Sequence, residues 1–157
     1  MLTSLIDRLH ALTPDQLRGM RRGVEKEGLR TDLSGRLVTT PHPKCLGSAL
    51  THPNITTDFS ESQLELVTDV HDSAQACADA LSDVHRFVHQ TLRANGELMW
   101  SGSMPSHLPI DADIPIGQYG LSNVGRLKTV YRHGLAHRYG PRMQTISGIH
   151  YNWSVPS

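Results

Sequence analysis

The chain has 157 residues, enough for one domain with a real core, and its 38% apolar and 19% charged residues make an ordinary folding mixture rather than a disordered one. Lys plus Arg and Asp plus Glu both number 15, so the formal charge is zero, which gives no electrostatic reason to expect nucleic acid or an anionic membrane as a partner. No apolar run approaches the roughly 20 residues that a membrane helix needs.

The opening MLTSLIDRLHALTPDQ does not read as a secretory signal, because its apolar residues are spaced, Asp7 interrupts them and no small-residue cleavage site follows. Cys45 and Cys77 form no metal or redox motif and read as reduced thiols of a cytoplasmic protein. Leu2, Leu5, Ile6, Leu9 and Leu12 recur at helical spacing and predict an amphipathic helix over 3–12. Thr13 and Pro14 then suit the N-cap and first position of a second helix running to about Arg22, with Gly23 ending it.

Residues 24–30 and 36–40, on either side of a polar turn, predict two strands. The stretch HPKCLGSALTHP reads as loop with one helical turn, and NITTDF and QLELVT as strands. Over 72–94, Cys77, Leu81, Val84, Val88 and Leu92 form an apolar stripe at helical spacing, the clearest element of the chain. Residues 101–121, rich in Pro, Gly and Asp, predict a long loop of the kind that often carries function. A helix over 123–138 ends near Gly140, and a strand is expected over 143–155. Ser157 follows with nothing to close the fold, which reads as an interruption.

Several acidic residues invite a chemical reading. Glu25 and Glu27 are two apart, which on a strand puts both on one face, roughly 6–7 Å apart. Such a pair repels unless a cation lies between, and magnesium, a hard ion preferring oxygen, is the natural candidate. The alternative is a solvated strand face beside Lys26 and Arg30. Asp58 and Glu65 could join the pair, or could be an ordinary turn aspartate and an exposed glutamate. In the last strand His150 shares a mostly polar face with Gln144, Ile146, Asn152 and Ser154, opposite Ile149, Tyr151, Trp153 and Val155, so it could meet metal or phosphate or simply be wet. The i, i+4 pairs His85/His89 and His133/His137 lack the glutamate of a zinc-protease helix and are set aside. No Gly-rich phosphate loop occurs, so any ATP here depends on metals and basic side chains.

Five stretches taken together carry a resemblance: GVEKEGLR at 23–30, LGSALTHPNITTDFSESQLELVT at 46–68, MWSGSMP at 99–105, IGQYGLSNVGRLKTVYRHGLAHRYG at 116–140 and MQTISGIHYNWSVP at 143–156. In their order and spacing the chain resembles the glutamate–cysteine ligases of the proteobacterial type. The resemblance implies an α+β fold, a glutamine-synthetase-like antiparallel sheet with helices packed outside, incomplete in this chain. Residues 1–157 would then be the N-terminal part of a single catalytic domain. It implies L-glutamate, L-cysteine and ATP as substrates, Mg2+ as the cofactor, and a γ-glutamyl phosphate that the cysteine amine attacks, the first step of glutathione synthesis.

Carried over by position, Glu25, Glu27, Asp58 and Glu65 resemble metal ligands and His150 a catalytic group contacting metal or phosphate. Phe59, Tyr131, Leu135, Gln144 and Ile146 resemble the cysteine-side pocket, and Arg132 a further substrate contact. Family members are several times longer, and their later part supplies further carboxylates, an arginine for glutamate and much of the sheet. The alternative expectation is a catalytically silent fragment, or a module that pairs with another chain.

Overall fold

In a computed structural model of the protein, residues 4–105 and 107–155 are described. The chain opens with two short helices, each started by a capping box. Ser4 and Asp7 close the first turn of α1 (Leu5–His10), and Thr13 and Gln16 that of α2 (Pro14–Arg18), so two orphan backbone donors are satisfied at each start. Leu5, Ile6 and Leu9 are exposed, and Leu2 lies outside the described residues. Helix α2 stops at Gly19 rather than near Arg22, because the chain there enters a strand that runs straight through Gly23.

That strand, β1 (Arg21–Asp32), organises everything else. It is longer than the expected 24–30 because its two halves have different partners. β2 (Ile55–Thr57), β3 (Gln63–Val67), β4 (Glu97–Met99) and β5 (Ile149–Ser154) complete a five-stranded antiparallel sheet. On one edge β1 pairs with β3, from Glu25 opposite Val67 to Leu29 opposite Gln63, and β2 lies beyond β3. On the other edge its first half pairs with β5 and its second half with β4. The expected strand at 36–40 is reduced to isolated bridges, Leu37 to Thr31 and Arg36 to His107, although the Val38 N–H still donates to the Arg30 carbonyl.

The alternation of QLELVT works out as read. Leu64 and Leu66 are both 0% exposed, while Glu65 between them points to the opposite face. Helix α3 (Ala74–Arg93), capped by Ser73, lays Val88 and Leu92 against Ile55, Leu64 and Leu66, with Leu81, Val84 and Met99 at the margin. Each of these buried side chains contributes about 1.5–3 kcal/mol by leaving water. Gly28 leaves room for β4: a Cβ there would displace the Met99 side chain, whose Cε lies at 2.6 Å, and press on the Trp100 carbonyl at 3.1 Å. This architecture, an antiparallel sheet with a helix packed on its apolar face, is the expected α+β arrangement.

Residues 101–105 and 107–121 form the expected loop, with a 3-10 turn at Asp111–Asp113. Helix α4 (Asn123–Tyr139), capped by Ser122, ends at Gly140 as expected. The stretch read as one strand over 143–155 is divided instead. Gly140, at φ 83°, and Pro141 start a short helix, α5 (Pro141–Gln144), and only Ile149–Ser154 is strand. Among the described residues no helix is long and apolar enough to cross a membrane.

Candidate functional site

The register of the sheet gathers the acidic residues. Glu27 lies directly opposite Glu65 across the β1–β3 pair, and Glu25 lies opposite His150 across the β1–β5 pair. All four therefore share the face turned away from Leu64 and Leu66. Asp58 comes from the turn between β2 and β3 and is close enough to act electrostatically on both Glu27 and Glu65. Five residues named from the sequence, Glu25, Glu27, Asp58, Glu65 and His150, thus form one cluster.

Its hydrogen bonds are sparse. Glu27, 9% exposed, accepts one bond at 2.9 Å from the Gly148 N–H. Glu25 faces the His150 imidazole, with Oε2 3.2 Å from Nδ1, and accepts from the Asn152 amide at 3.2 Å. Asn152 was not foreseen as a site residue, although its position two residues after His150 on the same face is a readable signal.

The charges are only partly compensated. Burial, followed by repulsion from Asp58, Glu25 and Glu27, pushes the Glu65 carboxyl up to about 7. Burial raises Glu27, partly countered by the Gly148 N–H, and raises Asp58, partly countered by the Arg132 guanidinium. The hydrogen bond to Glu25, with Glu27 nearby, holds His150 above the usual imidazole range. A cluster that strains against its own ionisation fits a divalent cation.

The donor set bears on the kind of cation it could help to hold. Among the described residues, no three His, Cys, Asp or Glu side chains are arranged to hold one ion unaided. Zinc sites need three or four such ligands, whereas magnesium is commonly held by one or two carboxylates, with waters and substrate phosphates completing its shell. Glu25, Glu27, Asp58 and Glu65 are hard oxygen donors of the kind that the second pattern uses. Two recesses flank them. One, about 180 Å³, lies beside Glu27 under Ser101, Ser103 and Ser147; the other, about 270 Å³, lies beside Glu25 and Asn152, with Val67 and Trp153 in its wall.

The expected pocket residues fall into two groups. Tyr131, Arg132 and Leu135 lie on α4, Gln144 ends the adjoining α5, and Ile146 follows in the loop to β5. Gln144 and Ile146 are therefore not on a strand with His150. Tyr131 and Ile146 are exposed, at 64% and 49%, whereas Phe59 is enclosed at 1%. The fully buried Gln63 ties these pieces together, accepting from the Phe59 N–H and donating to Ser147 Oγ, both at 3.3 Å.

The family model for glutamate–cysteine ligase matches residues 6–157. The chain belongs to the glutamate–cysteine ligase family. It is 51% identical to the glutamate–cysteine ligase of Alcanivorax borkumensis, over 97% of this chain and 29% of that protein. It is 56% identical to that of Azotobacter vinelandii, over 89% of this chain and 26% of that one. The chain thus spans less than a third of the curated relatives it matches. Among solved structures it is similar to the Francisella tularensis glutamate–cysteine ligase in complex with AMP, with a TM-score of 0.82 and 45% identity over 87% of this chain and 27% of that one. It is also similar to a bifunctional glutathione synthetase from Pasteurella multocida, with a TM-score of 0.80 and 37% identity over 90% of this chain and 18% of that one. These glutamate–cysteine ligase relatives agree with the family resemblance and the fold read from the sequence.

Proposed function

We propose that the chain is the N-terminal part of the catalytic domain of an ATP- and magnesium-dependent ligase that joins the γ-carboxylate of L-glutamate to the amine of L-cysteine. A γ-carboxylate oxygen attacks the γ-phosphorus of ATP and ADP leaves. The cysteine amine then attacks the acyl phosphate, phosphate leaves, and the nitrogen gives up a proton. The observation that carries this reading is the gathering of Glu25, Glu27, Asp58 and Glu65 at one sheet face, where burial first and then mutual repulsion push Glu65 up to about 7. Bound magnesium would neutralise charge on the transferring phosphoryl group.

The chain's own residues have separable tasks in this reading. The four carboxylates supply hard oxygen ligands. His150, kept protonated more readily by Glu25, presents a cation to phosphate oxygens. Arg132 offsets Asp58 and reaches toward substrate. Tyr131, Leu135, Gln144 and Ile146, with Phe59 behind them, form the side that receives cysteine.

The test is a chimera in which this chain replaces the matching stretch of the Azotobacter vinelandii ligase. It should make γ-glutamylcysteine, and the double substitution Glu25→Gln/Glu27→Gln should lower magnesium-dependent turnover about a hundredfold or more while the protein stays folded. Near-normal turnover in that variant sinks the metal assignment.

One observation favours a second reading, a silent module that works only against another polypeptide surface. On β5, Ile149, Tyr151 and Trp153 are 65%, 56% and 61% exposed, an apolar strip of the kind found at interfaces. Phosphate release by the 157-residue chain alone, from glutamate, cysteine, ATP and magnesium, would exclude it.

A further inference from the structure

The end of the long loop carries a tyrosine that no local pattern marks. Tyr119 is 5% exposed. Its hydroxyl lies 2.8 Å from the Thr57 carbonyl and 3.0 Å from the Asp58 carbonyl, either of which can accept its proton, and it accepts from Thr57 Oγ1 at 2.9 Å. Its ring faces the Arg132 guanidinium at 4.5 Å and the Lys128 ammonium at 5.0 Å from the centroid. Arg132 in turn donates from Nε to the Asp58 carbonyl. The first turn of α4 also sits against this residue, since a side chain at Gly125 would run into the Tyr119 carbonyl. Behind it, the buried Glu61 carboxylate accepts the N–H of the preceding Gln118 on one oxygen and that of His42 on the other.

Two elements of the candidate site therefore meet at one side chain that does not belong to the cluster itself. The turn bearing Asp58 is held by the hydroxyl, and the helix bearing Arg132 is held by the ring. We propose that Tyr119 is a positioning residue that fixes the Asp58 carboxylate relative to the Arg132 guanidinium. A ring that merely fills space needs no hydroxyl, whereas this hydroxyl has three oxygen partners, all on Thr57 and Asp58. The proposal rests on the ligase reading for its effect on rate, and on the geometry alone for its effect on the Asp58 turn.

Tyr119→Phe separates these parts, because it keeps the ring and its cations and removes the hydroxyl. In the chimera described above, the variant should melt close to the parent temperature. Its kcat should fall about tenfold, the effect of one well-used hydrogen bond, and more magnesium should be needed for half-maximal rate. Hydrogen exchange across residues 57–60 should quicken. Tyr119→Leu, which also removes the ring, should add faster exchange across α4 around Arg132. Parent values of kcat and magnesium half-saturation in Tyr119→Phe would overturn the proposal. Should the folded parent chimera make no product at all, the ligase reading fails, and exchange decides for Tyr119: quickened exchange at Asp58 and Phe59 sustains the clamp, and unchanged exchange refutes it.

Discussion

Leu64 and Glu65 are neighbours in β3 and meet opposite fates. The leucine is sealed against α3 with Val88 and Leu92. The glutamate faces Glu27 across the sheet, with Asp58 and Glu25 adding to the repulsion. On one face α3 covers Leu64 and Leu66, although Ile149, Tyr151 and Trp153 of β5 on that side stay exposed, while the other face gathers like charges that a cation would relieve. Substitutions on the two faces should therefore act through different quantities: those on the interior through folding, those on the acidic face through ligand binding.

The largest loss of stability is expected in the interior, at Arg30. It is 0% exposed, pairs with Glu97 at 2.7 Å and donates to Thr40 and to the Pro41 and Glu61 carbonyls. Arg30→Met strips all of these partners at once and leaves Glu97, only 13% exposed, without its cation. Urea denaturation should show a loss of about 3–5 kcal/mol. A loss below 1 kcal/mol would mean that the network is dispensable.

The adjacent pair in β3 gives the sharpest contrast. Leu64→Ala should cost about 2–5 kcal/mol by opening a cavity beneath α3. Glu65→Gln, one residue on, should leave metal-free stability unchanged or slightly higher, because it removes a carboxylate that is both desolvated and repelled. Equal destabilisation by the two would erase the distinction between the faces.

A smaller effect concerns pH. His42, whose amide is held by Glu61, is pushed below the ordinary imidazole range first by burial. Its neutral form is thus favoured in the fold, so the unfolded chain takes up the proton first as pH falls. The contribution of His42 is present above about 6.5 and is lost as pH falls below it. Urea midpoints at pH 7.5 and 5.5 should differ more in the parent than in His42→Leu, and equal differences would contradict this.

How much of this was legible depended on whether a signal was local. The stripe of α3 and the alternation of QLELVT were readable because the period of each element is written in consecutive residues. The shared face of Glu25 and Glu27 was readable for the same reason. That Glu27 opposes Glu65, and Glu25 opposes His150, depends on register between distant strands, which composition and spacing do not state. It entered only through the family resemblance. Gly23 misled because glycine usually ends a helix, yet here it lies inside β1, near its start. The three residues of β4 were too few to show a period after the long helix. Gln144 and Ile146 kept the parity of His150 on paper, but Gly140 and Pro141 divert the chain into α5 before the strand begins. Tyr119 gave no periodic signal, since the partners of its hydroxyl lie about 60 residues away.

The central claim is that the acidic face is a divalent-cation site. It is tested most directly by titrating Mn2+, as a spectroscopic stand-in for magnesium, into the chimera in the presence of a non-hydrolysable ATP analogue. The parent should show saturable binding by the loss of free-ion signal. Glu27→Gln/Glu65→Gln should weaken that binding by about a hundredfold or more while its melting temperature holds or rises. Equal manganese affinity in the two proteins would contradict the account.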